Sequence, residues 1–191
     1  KLIEISDNAL SLRLITKELC NINKSIGYYE ISKIKRHSDS AEAIKLVENS
    51  LKLRQFFYPY AAYYIELLIE NNELVKTKKY LQKNWKNLLY PELKKSIELL
   101  SDKLNISFSD LTKVIISNSS ETKESKILLA ESLIINNKWS DAKKILAPLL
   151  QHKPSKEICL LMSEIEKNDS NDPQKVNAWI SRSNFGELNK I

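Results

Sequence analysis

The chain has 191 residues, a net charge of +6 and only two glycines, Gly27 and Gly186. Nucleotide-binding α/β folds need a glycine-rich turn after a strand, and all-β folds need glycine at their tight turns, so both classes are excluded and an all-helical chain remains. Lysine outnumbers arginine 26 to 4, and Lys, Ile and Asn together fill about a third of the chain. That bias follows AT-rich codons. The rigid arginine fork that reads guanine and phosphate is scarce, so no nucleic-acid partner is expected.

Apolar periodicity predicts helices over 6–20, 24–36, 40–53, 56–71, 74–89, 91–104, 107–118, 122–136, 139–152, 155–167 and 173–183. Asp39 with Glu42, and Ser107 with Asp110, have the spacing of capping boxes. Asp172-Pro173 offers an N-cap followed by proline at the first helical position, and Pro154-Ser155 is placed to act in the same way. Asn71-Asn72 and Asn136-Asn137 interrupt the pattern where a glycine would usually end a helix. Asparagine tolerates the left-handed conformation and substitutes for it there. The longest apolar run, Phe56 to Ile69, contains Pro59 and Glu66 and falls short of the about 20 residues needed to span a membrane.

The helices repeat in phase. Ala43, Thr77, Leu111, Ala142 and Val176 fall at equivalent positions, at a nearly constant interval of about 34 residues. The residue four places on is apolar each time: Val47, Leu81, Ile115, Leu146 and Ile180. Ser40, Leu74, Phe108, Trp139 and Pro173 stand three places before. Two helices in a period of about 34 residues is the tetratricopeptide (TPR) spacing. The clearest unit runs from Lys123 to Lys156, with Leu129-Ala130 and Leu133 in its first helix, Trp139, Ala142 and Leu146 in its second, and Pro154 at its end. The chain therefore resembles TPR proteins. The expected fold is an all-α, right-handed α-α superhelix of about five helix pairs. It is read as one domain: helices over 1–38, repeats over 39–183 and a tail over 184–191.

Three stretches carry a closer resemblance: AIKLVENSLKLRQFFYPYAA over 43–62, the segment from Thr77 through Trp85 to Tyr90-Pro91-Glu92-Leu93, and the segment from Trp139 through Cys159-Leu160-Leu161-Met162 to Trp179-Ile180-Ser181-Arg182. In this order they are similar to the carboxy-terminal TPR region of bacterial HemY proteins in the form carried by alphaproteobacteria. Tyr90 and Ser163 depart from that pattern. The resemblance implies a cytoplasmic TPR domain tethered to the inner membrane by an anchor upstream of Lys1, and a link to haem and porphyrin biosynthesis without catalytic residues of its own. The alternative within that setting is a tetrapyrrole-binding carrier or enzyme.

Lys76, Lys79, Lys83 and Lys86 form one stripe of a helix whose other side carries Leu74, Leu81, Trp85 and Leu88. This reads as a solvated back; the alternative is a contact with an anionic membrane surface. Phe56, Phe57, Tyr58, Tyr60, Tyr63 and Tyr64 read as packing between adjacent repeats; the alternative is a ligand platform or recognition surface presented by the tyrosines. His37 and His152 are the only axial imidazoles the chain could offer a porphyrin. Cys20 and Cys159 read as buried free thiols. In a TPR superhelix the first helix of each pair lines the concave groove, which places Glu66, Glu70, Glu124 and Glu131 there as a candidate surface for a basic partner protein. No nucleophile–base set, metal-ligand spacing or phosphate loop occurs, so no enzyme activity, metal or cofactor is expected. The oligomeric state is open.

Overall fold

The computed structural model describes residues 1–151 and 153–185. These form α1 (Leu2–Ser11), α2 (Lys17–Lys35), α3 (Ser40–Leu53), α4 (Tyr58–Glu70), α5 (Leu74–Leu88), α6 (Lys94–Leu104), α7 (Phe108–Ile116), α8 (Lys123–Ile135), α9 (Trp139–Leu146), α10 (Lys156–Asp169) and α11 (Pro173–Phe185). Short 3-10 turns over Pro91–Leu93 and Ala147–Leu150 complete the described elements, and no strand occurs among them. The protein is all-α, and consecutive helices pack on one another as in α-α repeat proteins. The chain divides into two compact units between Ser96 and Ile97, within α6. Of the predicted ranges, Gly186 and the rest of the tail to Ile191, and also His152, lie outside the described residues.

In the first unit, α1 packs on α2, α2 on α3, α3 on α4 and α4 on α5. The equivalent positions inferred from sequence lie at its centre: Ala43, Val47, Thr77 and Leu81 have no exposed surface. Small residues stand where helices come closest. Ser50 donates to the Ser25 carbonyl at 2.9 Å and Ser32 to the Ala43 carbonyl at 2.8 Å, so the buried hydroxyls between α2 and α3 are satisfied. In the second unit, Ala142 and Leu146 are again fully buried, together with Ala130, Leu133, Ile158, Met162 and Ile165, with Trp139 and Trp179 packed against the cluster. Each buried Leu or Ile contributes about 1.5–3 kcal/mol. The last repeat departs, since Val176 is only half-buried and Ile180 is exposed on α11.

Four turns show how a glycine-poor chain ends its helices. Asn72, Asn105 and Asn137 adopt φ of 60°, 54° and 58°, and Arg13 does the same at 58°. The next residue donates its N–H to the carbonyl five places back in each case: Glu73 to Leu68, Ile106 to Ser101, Lys138 to Leu133 and Leu14 to Ala9. This is the Schellman closure, which normally takes glycine. Asn171 is left-handed as well, so a left-handed asparagine recurs once per repeat from Asn72 onward. Gly27 serves another purpose. It lies inside α2, where a Cβ would meet Ile3 of α1 at 2.9 Å, so its missing side chain lets α1 approach.

The sequence reading departs from the structure at both kinds of boundary. The predicted 6–20 and 24–36 helices are instead α1 and the long α2, separated by a turn and restarted by Thr16, which accepts from the Leu19 N–H. The α2 face that is buried carries Cys20, Ser25, Gly27 and Ser32, whereas Leu19, Ile26, Ile31 and Ile34 are exposed. Its apolar periodicity therefore points away from its own packing. The predicted 139–152 helix ends at Leu146 because Pro148 falls in the next turn, which tightens to 3-10. Asp39, Ser107 and Asp172 cap their helices as expected. Glu42 does not close its box; its carboxylate pairs with Lys35 at 3.0 Å. Ser155 holds the cap position of α10, but its buried hydroxyl has no partner.

Candidate functional site

The four glutamates read as groove residues belong to different units and find different surroundings. In the first unit, Glu66 and Glu70 stand one turn apart on α4, both exposed. Arg36, at the end of α2, reaches across to them. Its Nη2 donates to Glu66 at 2.7 Å, its Nε donates to Glu70 at 3.0 Å, and Nη2 also contacts Glu70. The guanidinium lies over the Tyr63 ring, 5.5 Å from the centroid. A planar fork held on two carboxylates and an aromatic ring is a preorganised arrangement. It engages both carboxylates with one guanidinium, so a partner's cation would have to compete with Arg36 for them. Arg36 was not singled out by the sequence reading.

In the second unit, Glu124 and Glu131 lie two turns apart on α8, and Ile135, 53% exposed, follows Glu131 by one further turn. Glu131 lines a cleft of about 490 Å³ against α10, whose contribution is Lys156, Glu157, Leu160, Leu161 and Glu164. Leu160 is 45% exposed in the midst of these charges. Three glutamates against one lysine, around an apolar residue held open to solvent, can accept a segment that presents an apolar side chain flanked by cations. Glu157, Leu160 and Glu164 were missed because each looks like an ordinary surface position of a helix. Only the repeat period, which leads from Glu124 to Glu157 and from Glu131 to Glu164, ties them to the α8 stripe.

The remaining candidates settle into packing. Tyr60, Tyr63 and Tyr64 of α4 are buried. Tyr29 of α2 stacks on Tyr60 and Tyr63 at 4.8 and 5.3 Å, and Tyr64 meets Tyr80 of α5 edge-on at 4.9 Å. The aromatic run thus joins α4 to α2 of the preceding pair, as expected, and to α5 of its own pair. Lys79, Lys83 and Lys86 are exposed while Leu81, Trp85 and Leu88 are buried, which is the solvated back. Lys76 departs from it by pairing with Glu48 at 3.0 Å and Glu73 at 3.4 Å. Cys20 and Cys159 are buried free thiols. Burial raises the Cys159 pKa, with nearby Arg182 opposing. His37 is exposed past the end of α2.

One buried charge belongs to the framework. Glu166 of α10 is 3% exposed and accepts from Lys143 of α9 at 2.6 Å and from Ser170 at 2.9 Å. The Lys143 hydrogen bond is the largest influence; with help from Ser170 it outweighs burial and holds the carboxyl below the usual glutamate range. Among the described residues no group of three or more His, Cys, Asp or Glu side chains could hold a metal ion, and no helix is long and apolar enough to cross a membrane. No protein-family model matches the chain, and no curated protein matches it.

Proposed function

We propose that the chain is a non-catalytic protein-interaction scaffold, and that the α8/α10 face of the second unit docks a basic, amphipathic segment of a partner protein. The cleft lined by Glu131, Glu157, Leu160 and Glu164 carries this reading, because its acidic rim around an apolar side chain complements a basic, amphipathic segment in both charge and polarity. Helix-pair repeats suit the role, since they present one stripe of each first helix along a shared face. The resemblance to HemY-like TPR domains extends the proposal to a protein tethered at the inner membrane and associated with haem biosynthesis. In that setting the lysine stripe of α5 would face an anionic surface.

The test compares proteins recovered with the wild-type protein and with a Glu157→Lys/Glu164→Lys variant. A partner retained by the wild type and by Glu66→Gln/Glu70→Gln, but lost with the charge-reversed α10, is the expected outcome. An unchanged partner set refutes the assignment. The rival reading, a tetrapyrrole carrier, requires a Soret shift when haemin is titrated into the folded protein, and a flat titration removes it.

A further inference from the structure

The first unit holds a second cleft, of about 440 Å³, between α3 and α5 with Tyr64 of α4 reaching into it. Its walls are largely apolar: Leu51, Phe56, Tyr64 and Tyr80. Tyr64 and Tyr80 meet edge to face, with centroids 4.9 Å apart. This size and lining are those of small-ligand sites.

The charges sort in one direction. Glu48 is the single acidic residue of the lining, and its charge is already engaged. Tyr64 donates to it at 2.7 Å and Lys76 at 3.0 Å. Burial disfavours charge on Glu48, but these hydrogen bonds outweigh it and keep the carboxyl below its ordinary range. At the exposed edges stand Lys52 of α3 and Lys83 of α5. Lys52 hydrogen-bonds the neutral Asn49 carboxamide, at 3.1 Å, and senses Glu48 only through space. Lys83 has no ion-pair partner among the described residues. Two cations therefore flank an aromatic slot without a carboxylate bound to either.

Phe56 adds an independent observation. It adopts φ of 57°, a conformation that is rare and strained for a bulky residue. Its carbonyl accepts from the Tyr90 hydroxyl at 3.4 Å, so the neighbouring turn supports the strained residue that walls the cleft. Burial raises the Tyr80 pKa to about 12.

We infer that this cleft binds a small aromatic acid, with its ring system between Phe56, Tyr64 and Tyr80 and its anionic group held by Lys52 and Lys83. The inference does not depend on the docking face of the second unit. The probe is 1-anilinonaphthalene-8-sulfonate, titrated by fluorescence and mapped by amide chemical shifts on the full chain, with uncharged N-phenyl-1-naphthylamine as the matched ring system. Saturable binding is expected, with shifts in α3, α5 and around Phe56, and with affinity at least about threefold weaker for the uncharged probe. Lys83→Glu and Lys52→Glu each weaken the sulfonate by about threefold to tenfold, whereas Lys79→Glu, on the same stripe but outside the cleft, leaves it unchanged. Phe56→Gly relieves the backbone and removes the wall, so binding falls while the melting temperature does not. No saturation by about 1 mM, equal loss with Lys79→Glu and Lys83→Glu, or shifts confined to residues outside α3–α5 would overturn the site.

Discussion

Substitution of Asn137 separates the two reasons an asparagine can stand at a helix end. Asn137 sits at φ 58°, and its N–H and that of Lys138 close the α8 terminus on Ile134 at 2.9 Å and Leu133 at 2.8 Å. A side chain with an ordinary Cβ costs about 1–2 kcal/mol in this conformation, and asparagine pays less than most. Asn137→Ala should therefore lose about 1 kcal/mol. Asn137→Gly should be neutral or gain a few tenths, because relief of the backbone is partly offset by the freer unfolded chain. In a chain of this size about 1 kcal/mol moves the midpoint by about 2–4 °C. Asn136, immediately before, has φ −88° and donates its carboxamide to Ser109 at 2.9 Å. There both Ala and Gly remove a bond worth about 1 kcal/mol, and Gly is the worse of the two. Urea and thermal unfolding followed by circular dichroism give the four values. Equal stability of Asn137→Ala and Asn137→Gly would refute the conformational account of these turns.

Glu166→Gln should cost about 1–2 kcal/mol at pH 7 by uncoupling α10 from Lys143. Because the folded carboxyl lies below the ordinary value of 4.5, its contribution is complete above that value and is lost as pH falls through the depressed one. The stability gap between wild type and variant should accordingly shrink below about pH 4.5, and a gap that stays constant in acid denaturation would contradict this. Gly27→Ala should fail to deliver the about 1 kcal/mol that alanine normally adds to a helix interior, because its Cβ meets Ile3. Faster amide exchange over Leu2–Ser11 and recovery in the Gly27→Ala/Ile3→Ala double variant are the signs to look for; a full gain in melting temperature from Gly27→Ala alone would show that α1 moves aside freely.

What could be read from the sequence depended on which residues each helix buries. Where a helix buries large apolar side chains at helical spacing, as α5 does with Leu81, Trp85 and Leu88, the reading placed both its limits and its inner face. Where contact is made by small residues the signal vanishes. The α2 helix buries Cys20, Ser25, Gly27 and Ser32 and exposes its isoleucines, so the periodicity that marks other helices there suggested a break that does not exist. The asparagine turns were legible as Asn-Asn pairs at 71–72 and 136–137. The equivalent Asn105 and Asn171 were not, since each stands without an asparagine beside it and only the backbone reveals its role.

The candidate site needed one more step, which the repeat itself supplies. A repeat of about 34 residues places a residue beside the one a full period away on the next pair. In the first unit this brings together Tyr29 with Tyr63, Arg36 with Glu70, and Phe56 with Tyr90. Each pair is one period apart, and in the charged one the signs are opposite. Across the second unit the corresponding step leads from Glu131 to Glu164, two like charges lining one cleft with Leu160 exposed beside them. The same geometry thus ties the first-helix acids of one unit to an arginine and leaves the other unit with an acidic, partly apolar face. Residue type alone ranked Glu66, Glu70, Glu124 and Glu131 as equivalent. The period separates Glu70 from Glu124 and Glu131: where a glutamate's counterpart one repeat away is an arginine, as Arg36 is for Glu70, the charge holds helices together, and where it is another glutamate, like charges gather on one face and set the sign of the partner it can take.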